Sequence, residues 1–297
     1  MERLQDIHEA VSSVLAQTLK PHEVIVAIDH NEELLNRLKS ELPPEVKVVL
    51  NDGPYMGSSA TDNVGVSLAK GDIVAFIDDD AVAEKDWLEH LVKHYQEPSI
   101  VAVGGRLIPV WKNGRPGWFC EDLNWIVGCT YKGHPESRAE VRNLIFCNAS
   151  LRHSVFDSVG LFPAETGRSV NWGTGFESQA FLRLKSQMPD AAIIYDPDAV
   201  VYHKVTPHRA KIKYVILRSY NEGFHKAKIK KACAGLSQRP LSTESSYLRN
   251  LLFVSIPQKV IHFYKPWALA QVGAIMISIA ATGVGYVMVK MSRSKHI

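Results

Sequence analysis

GDIVAFIDDDA, Gly71–Ala81, is the stretch on which the fold turns. Asp72–Ile77 is a short run of apolar, largely β-branched and aromatic residues, as expected of a strand buried on both faces. Three carboxylates, Asp78, Asp79 and Asp80, follow where that strand should end. Adjacent carboxylates repel one another and call for counter-charge, and a divalent cation supplies it through hard oxygen ligands. Such a cation can also bridge a diphosphate. On its own, the triplet fits a solvated loop or an acidic cluster before a helix equally well.

Working outward, strands and helices alternate. Glu2–Thr18 spaces Leu4, Ile7, Val11, Val14 and Leu15 as on one helical face, and Pro21 ends it. EVIVAI (Glu23–Ile28) reads as a strand, Glu32–Leu42 as a helix stopped by Pro43-Pro44, Val46–Leu50 as a strand and Gly57–Lys70 as a helix. After the aspartates come a helix over Ala83–Tyr95 and a strand beginning at Ile100–Val103. This alternation predicts an α/β domain with a mostly parallel sheet and helices on both faces. Ligands of such sheets bind beyond the carboxyl ends of the strands, where the triplet lies.

Leu107–Arg142 is rich in Trp, Gly and Pro without a clear period and reads as irregular structure over the sheet edge. Leu144–Leu151 is strand-like and Phe176–Lys185 helical. Ala192–Tyr195 and Ala199–His203 read as two short strands around a turn at Asp196-Pro197-Asp198, and Lys211–Lys231 as a long basic helix.

Composition narrows the function. The 297 residues are 46% hydrophobic and 22% charged, with 34 basic and 31 acidic side chains and a net charge of +3. So even a balance argues against nucleic acid as a partner. Cys120, Cys129, Cys147 and Cys233 form no CxxC pair and have no histidine at zinc-finger spacing, which argues against a structural zinc and fits buried thiols in a reducing compartment. The polar opening lacks the pattern of a signal peptide. Pro266–Val289 contains 24 uncharged residues, about 36 Å as a helix and enough for a hydrocarbon core of about 30 Å. Trp267 and Tyr286 stand near its ends as interfacial aromatics, and Lys265, Lys290, Arg293 and Lys295 flank it. Ahead of it, Arg249–Tyr264 mixes apolar residues with Lys259 and His262, as interfacial segments do.

Two further features carry chemistry. Gly173-Thr174-Gly175-Phe176-Glu177 delivers one acid at a helix start; beside a substrate it can act as general base, and otherwise it is an ordinary first-turn glutamate. In Val200–Val205, His203 stands at a strand end as a metal or phosphate ligand, or simply as a structural histidine.

Together these motifs resemble the family 2 glycosyltransferases of the GT-A fold, over about Glu2–Lys231. VIVAIDHNEELLNRL (Val24–Leu38) is similar to the family's nucleotide-binding strand and turn, and SSATDNVGVSLAKGDIVAFIDDDA (Ser58–Ala81) to the helix and strand leading into its DxD motif. GGRLIPVW (Gly104–Trp111) and FCNASLRHSVFDSVGLFP (Phe146–Pro163) are similar to its later donor and acceptor segments. The resemblance implies a donor site of Asp29, Asn63, Asp78, Asp79, Gly105, Arg106 and Asn148, a Mg²⁺ or Mn²⁺ ion on Asp80 and His203, and Glu177 as catalytic base. The family's opening strand is missing here, and Asp62 takes the position before Asn63 where an arginine is usual.

The basic segment around Arg218, Tyr220, Glu222 and Gly223, followed by an apolar span, is similar to archaeal members that extend lipid-linked glycans. The implied organisation is a GT-A domain over residues 1–234, a linker and interfacial segment over 235–265, a transmembrane helix over 266–289 and a basic tail over 290–297. The implied activity is inverting, metal-dependent transfer from a nucleotide sugar to a lipid-linked or polysaccharide acceptor, by a single-pass membrane protein with its catalytic domain in the cytoplasm. A transferase that loads a polyprenyl phosphate directly, and a non-catalytic nucleotide-sugar-binding module, remain as alternatives.

Overall fold

The computed structural model describes residues 2–164, 176–232 and 241–291. Gly173, Thr174 and Gly175, Cys233 and the start of the expected linker lie outside them. Two compact units divide the chain: residues 1–107 with 135–203, and residues 108–134 with 204–297.

In the first unit, α1 (Glu2–Leu15) precedes β1 (Val24–Asp29), α2 (Glu32–Glu41) and β2 (Val46–Asn51). β1 and β2 pair in parallel, from Val24 opposite Val46 to Asp29 opposite Asn51. Ile7 and Val11 of α1, Ile28 and Val48 of the strands and Leu38 of α2 share one buried cluster, the apolar faces that the periodicity predicts. Asn31 caps α2, its Oδ1 accepting the Leu34 N–H at 2.9 Å.

The unit continues through α3 (Ser58–Leu68), β3 (Ile73–Phe76), β4 (Ala81–Ala83), α4 (Trp87–Val92) and β5 (Ile100–Trp111). After β6 (Ala139–Glu140) and β7 (Ala149–Arg152) come α5 (Ser154–Val159), α6 (Phe176–Gln187) and β8 (Ala192–Val205). The larger sheet has the order β3-β7-β5-β8-β4, with β6 also on β8. Its core joins Val101 and Ala102, Ala149 and Leu151, and Phe146, Phe156, Phe162 and Phe181.

The α/β class matches the sequence, but the mostly parallel sheet needs correction. Only β1–β2 is a parallel pair among the described pairings; β7 runs antiparallel to both β3 and β5, and β4 and β6 run antiparallel to β8. β3 and β5 do run the same way, as the crossover through α4 requires. β7 then fills the slot between them in the opposite sense, a long-range choice that alternation along the sequence does not encode.

β8 is also one strand rather than two. Pro197 lacks an N–H and should interrupt a ladder. It falls between the residues paired to β6 (Ile194 and Tyr195) and those paired to β4 (Val201–His203), where that side of β8 has no described partner. Asp196 takes the strain locally, its Oδ1 accepting the Asp198 N–H at 3.0 Å and its Oδ2 meeting His94 at 2.6 Å and Lys93 at 2.9 Å.

The second unit holds a 3-10 turn (Glu121–Val127), then α7 (Ile212–Ala232), α8 (Ser242–Asn250), a π turn (Leu251–Ser255), α9 (Ile256–Ile261) and α10 (Ala268–Met291). α8 is helical where part of the linker was expected. Within α10, Ala268–Val289 is long and apolar enough to cross a membrane. α7 lies along it through small residues: Ser219 Oγ and Ser278 Oγ are 2.9 Å apart, and a Cβ on Gly223 or Gly285 would overlap the facing backbone of Thr282 or Tyr220. On α7, Arg218 and Lys226 flank Glu222 at 2.9 and 3.2 Å, and Lys226 also reaches Glu244 of α8 at 2.8 Å. Burial alone would raise the Glu222 carboxyl; Lys226 and Arg218 hold it down at about 2.

Candidate active site

The acidic triplet leaves the end of β3 in a tight turn, with the Ala81 N–H donating to the Asp78 carbonyl at 3.2 Å. Three residues later the chain is a strand again. β4 pairs with β8 so that Ala81 faces His203. That register carries His203, 3% exposed, to the triplet, its Nε2 lying 3.2 Å from Asp80 Oδ1. Ligand atoms of Asp78, Cys147 and His203 lie within 4.8 Å of one another.

The Asp78 residue is exposed, with its carboxyl crowded by protein atoms. Burial, followed by Asp80 and Asp79, pushes its carboxyl up, against the pull of His203 and Cys147. Asp62, on α3, rises well above the carboxylate range, through burial first and then the charges of Asp78 and Glu177. The acids of α3, of the triplet and of α6 therefore share one electrostatic neighbourhood. Glu177 is oriented within it, one oxygen accepting the Phe146 N–H at 3.0 Å.

Asp79 turns elsewhere, to Arg3 Nε at 2.8 Å on the exposed face of α1. Asp29 belongs to a separate group at the carboxyl ends of β1 and β2. Its oxygens accept from Asn51 Nδ2 at 2.9 Å and the Gly57 N–H at 2.8 Å, and His30 Nδ1 lies 2.8 Å away. Burial raises the Asp29 carboxyl, but the bonds from His30, Gly57 and Asn51 outweigh it and hold it below its ordinary value. His30 has a positive φ of 48°, which aims its ring at both Asp29 and the Gly53 carbonyl, the latter at 2.8 Å.

Three of the expected donor residues have internal work. Asn148 Oδ1 accepts the Trp87 indole N–H at 2.8 Å, and its Nδ2 donates to the carbonyls of Arg106 at 3.0 Å and Ala199 at 2.8 Å. Both of its N–H groups are thereby used to tie β5 to β8. Gly105 is needed because a Cβ would overlap the Ala199 backbone. Asn63 exchanges two bonds of 2.9 Å with the backbone of Phe162. Arg106 is half-buried. Asn148→Ala should therefore lower the unfolding free energy by about 3 kcal/mol, since it strands buried polar groups. Denaturant unfolding measures this. An unchanged midpoint together with a raised KM for donor would return Asn148 to the donor site.

The model of the family described as Glycosyl transferase family 2 matches residues 2–160. The chain is a family 2 glycosyltransferase. This glycosyltransferase is 35% identical, over 293 residues, to the glucosyl-dolichyl phosphate glucuronosyltransferase of Haloferax volcanii, covering 97% of this chain and 92% of that protein. It is 25% identical over 228 residues to the succinoglycan biosynthesis protein ExoM of Rhizobium meliloti, covering 74% and 70% of the two chains. Among solved structures, the mannosyltransferase PcManGT from Pyrobaculum calidifontis, in complex with GDP-Man and Mn²⁺, has the same GT-A-like fold, with a TM-score of 0.53 at 17% identity over 98% of this chain and 76% of that one.

Sequence reasoning about the glycosyltransferase missed Cys147, Arg3 and His30 as neighbours of its acids. Cys147 had a signal, since it directly precedes Asn148 in the segment that resembles the family. Arg3 and His30 had none, because their contacts depend on how α1 and the turn after β1 are placed.

Proposed function

We infer that the chain carries out inverting, metal-dependent transfer of a sugar from a nucleotide-sugar donor to a hydroxyl of a membrane-associated, lipid-linked glycan. The observation that carries this is the meeting of the acidic triplet with His203 through the β4–β8 register. The 35% identity to a relative named for glucosyl-dolichyl phosphate supports the lipid-linked acceptor.

The donor set fits a divalent ion: Asp78 and Asp80 offer hard oxygens, and the buried imidazole of His203 suits Mn²⁺ better than Mg²⁺, which prefers oxygen and water. When bound, such an ion supplies the charge that neutralises a departing nucleoside diphosphate. The chain's own residues do the rest. The Asp29 group, at the carboxyl ends of the parallel strands, binds the nucleoside. Asp62, whose carboxyl is pushed well above the ordinary range by burial and by Asp78 and Glu177, adds less negative charge beside the donor's phosphates than an ordinary aspartate would. Glu177 takes the proton of the acceptor hydroxyl while that oxygen attacks the anomeric carbon from the face opposite the leaving group. A single displacement inverts the configuration, and no general acid is required at the leaving group. The apolar C-terminal helix keeps this chemistry at the membrane, with the site on the cytoplasmic side.

The test incubates membranes containing the protein with a panel of nucleotide-linked hexoses and hexuronic acids, Mn²⁺ and a lipid-linked glycan. We expect one donor class to be used and the new linkage to be inverted, as read by NMR. Retention of configuration, or no transfer from any donor, overturns the reading. Transfer to free polyprenyl phosphate alone moves it to the rival acceptor.

A further inference from the structure

We propose that the second unit docks on a single leaflet of a lipid bilayer, with α10 lying along the membrane surface against α7 rather than crossing it. The inference rests on the membrane attachment proposed above and specifies its geometry.

Three observations carry it. First, α10 is held to the rest of the unit along its whole length, against chain that carries charge. At its start Gln271 Nε2 donates to the Gly117 carbonyl at 2.9 Å. At its middle Ser278 meets Ser219, and near its end Gly285 packs on the backbone of Tyr220 and Phe224. The helix that covers it carries the Arg218–Glu222–Lys226 ladder, which Lys226 extends to Glu244 on α8. A crossing α10 would draw this paired but charged ladder into hydrocarbon, a cost that a position at the surface avoids.

Second, the rest of α10 is one exposed apolar stripe. Leu269, Met276, Val284, Val287 and Met291 recur at helical spacing and face outward. α10 has no charged face of its own, so at a membrane surface the polar side is supplied by α7 packed against it.

Third, the chain just before α10 presents large apolar residues on a rigid mount. Phe253 is 74% exposed, Ile261 69%, Phe263 64% and Tyr264 69%. Their segment is fixed from behind by Lys259, whose Nζ lies 3.0 Å from the buried carboxylate of Asp122. Tyr247 fixes it too, its hydroxyl donating to the Asp122 carbonyl at 2.6 Å and accepting the Trp125 N–H at 2.9 Å. Aromatic side chains beside the exposed Lys265 match the boundary between acyl chains and anionic headgroups. This segment runs directly into α10 along the chain, and both expose large apolar side chains.

The test uses sealed, everted membrane vesicles from cells making the full chain with Cys233→Ser; the described cysteines are buried. Lys47→Cys, at an exposed position, reports on the nucleotide-binding unit, and Ser294→Cys reports on the basic tail that follows α10. A membrane-impermeant maleimide should label the two alike, without detergent. If Ser294→Cys reacts only after the vesicles are opened while Lys47→Cys reacts before, α10 crosses and the proposal falls. It falls too if the protein stays in the supernatant when the vesicles are pelleted. As a second measurement, Phe253→Ser with Phe263→Ser should shift the chain into the supernatant by at least about fivefold while its far-UV circular dichroism is unchanged. Unchanged partitioning overturns the docking surface. None of these readouts involves sugar transfer, so an Asp80→Ala chain should behave as the parent does, and failure here leaves the assigned chemistry untouched.

Discussion

Asp80→Ala should abolish sugar transfer while leaving the protein folded, with kcat falling about 10³-fold or more. The argument is electrostatic. Asp78, Asp79 and Asp80 are consecutive, and Asp80 together with Asp79 raises the Asp78 carboxyl, so the triplet is self-repelling in the free protein. Deleting one member relieves that repulsion. The unfolding midpoint should therefore stay level or rise, whereas loss of one partner from a structural ion pair would lower it. The contact that Asp80 would forfeit with His203 Nε2, at 3.2 Å, anchors a histidine already held in the β4–β8 ladder. Asp80→Asn keeps the shape and loses the charge, so it should be nearly as inactive; Asp79→Asn, at the Arg3 contact, should retain most activity. Binding of a nucleoside diphosphate by calorimetry with Mn²⁺ should weaken in parallel with kcat/KM. Turnover by Asp80→Ala near that of the parent would remove Asp80 from the site.

The contrast between the triplet and its partners shows which information the sequence carries. β1, β2 and β3 were legible because each is a short, largely apolar run bounded by turn residues, a pattern contained in the local sequence. β4 was not. Ala81–Ala83 is three residues long and runs into the helix read from Ala83 onward, so nothing local marks it as a strand. Its existence depends on β8, more than a hundred residues away in the chain, and the same pairing delivers His203. Pro197 misled in the other direction, because a proline flanked by aspartates signals a turn, and the interrupted ladder that tolerates it is a tertiary fact. For the expected donor residues Asn148 and Gly105, similarity alone could not reveal that both also fasten β5 to β8.

The same limit applies to α10. Composition and length alone describe a span. They do not show that Gly223 and Gly285 let α7 approach to backbone contact. α7 carries Lys213, Arg218, Glu222, Lys226, Lys228, Lys230 and Lys231. With each charge at the bilayer centre costing roughly 3 kcal/mol on insertion scales, even a few of them submerged beside α10 would offset much of the gain from its apolar side chains. Which term wins depends on the packing, and the packing was not readable from hydropathy.

Glu177→Gln should lower kcat by about 10³-fold and leave the KM for donor close to its original value. Glutamine keeps the carbonyl oxygen that accepts the Phe146 N–H, so α6 stays docked and the comparison isolates proton acceptance. Glu177→Ala removes that bond as well, and should add a loss of about 1 kcal/mol in stability to the same kinetic defect. Asp62 is the obvious substitute base, since Glu177 is among the charges acting on it. The same surroundings count against it: burial, Asp78 and Glu177 all push its carboxyl well above the ordinary range, which favours the protonated form over the form that accepts a proton. In Glu177→Gln one of those raising charges is gone, so the Asp62 carboxyl should fall and a small residual rate should appear as pH rises. Glu177→Gln with Asp62→Asn should remove that residual rate, and Asp62→Asn alone should cost far less than Glu177→Gln. If instead Asp62→Asn is the more damaging single change, the proton passes to α3 and not to α6, and the base must be reassigned.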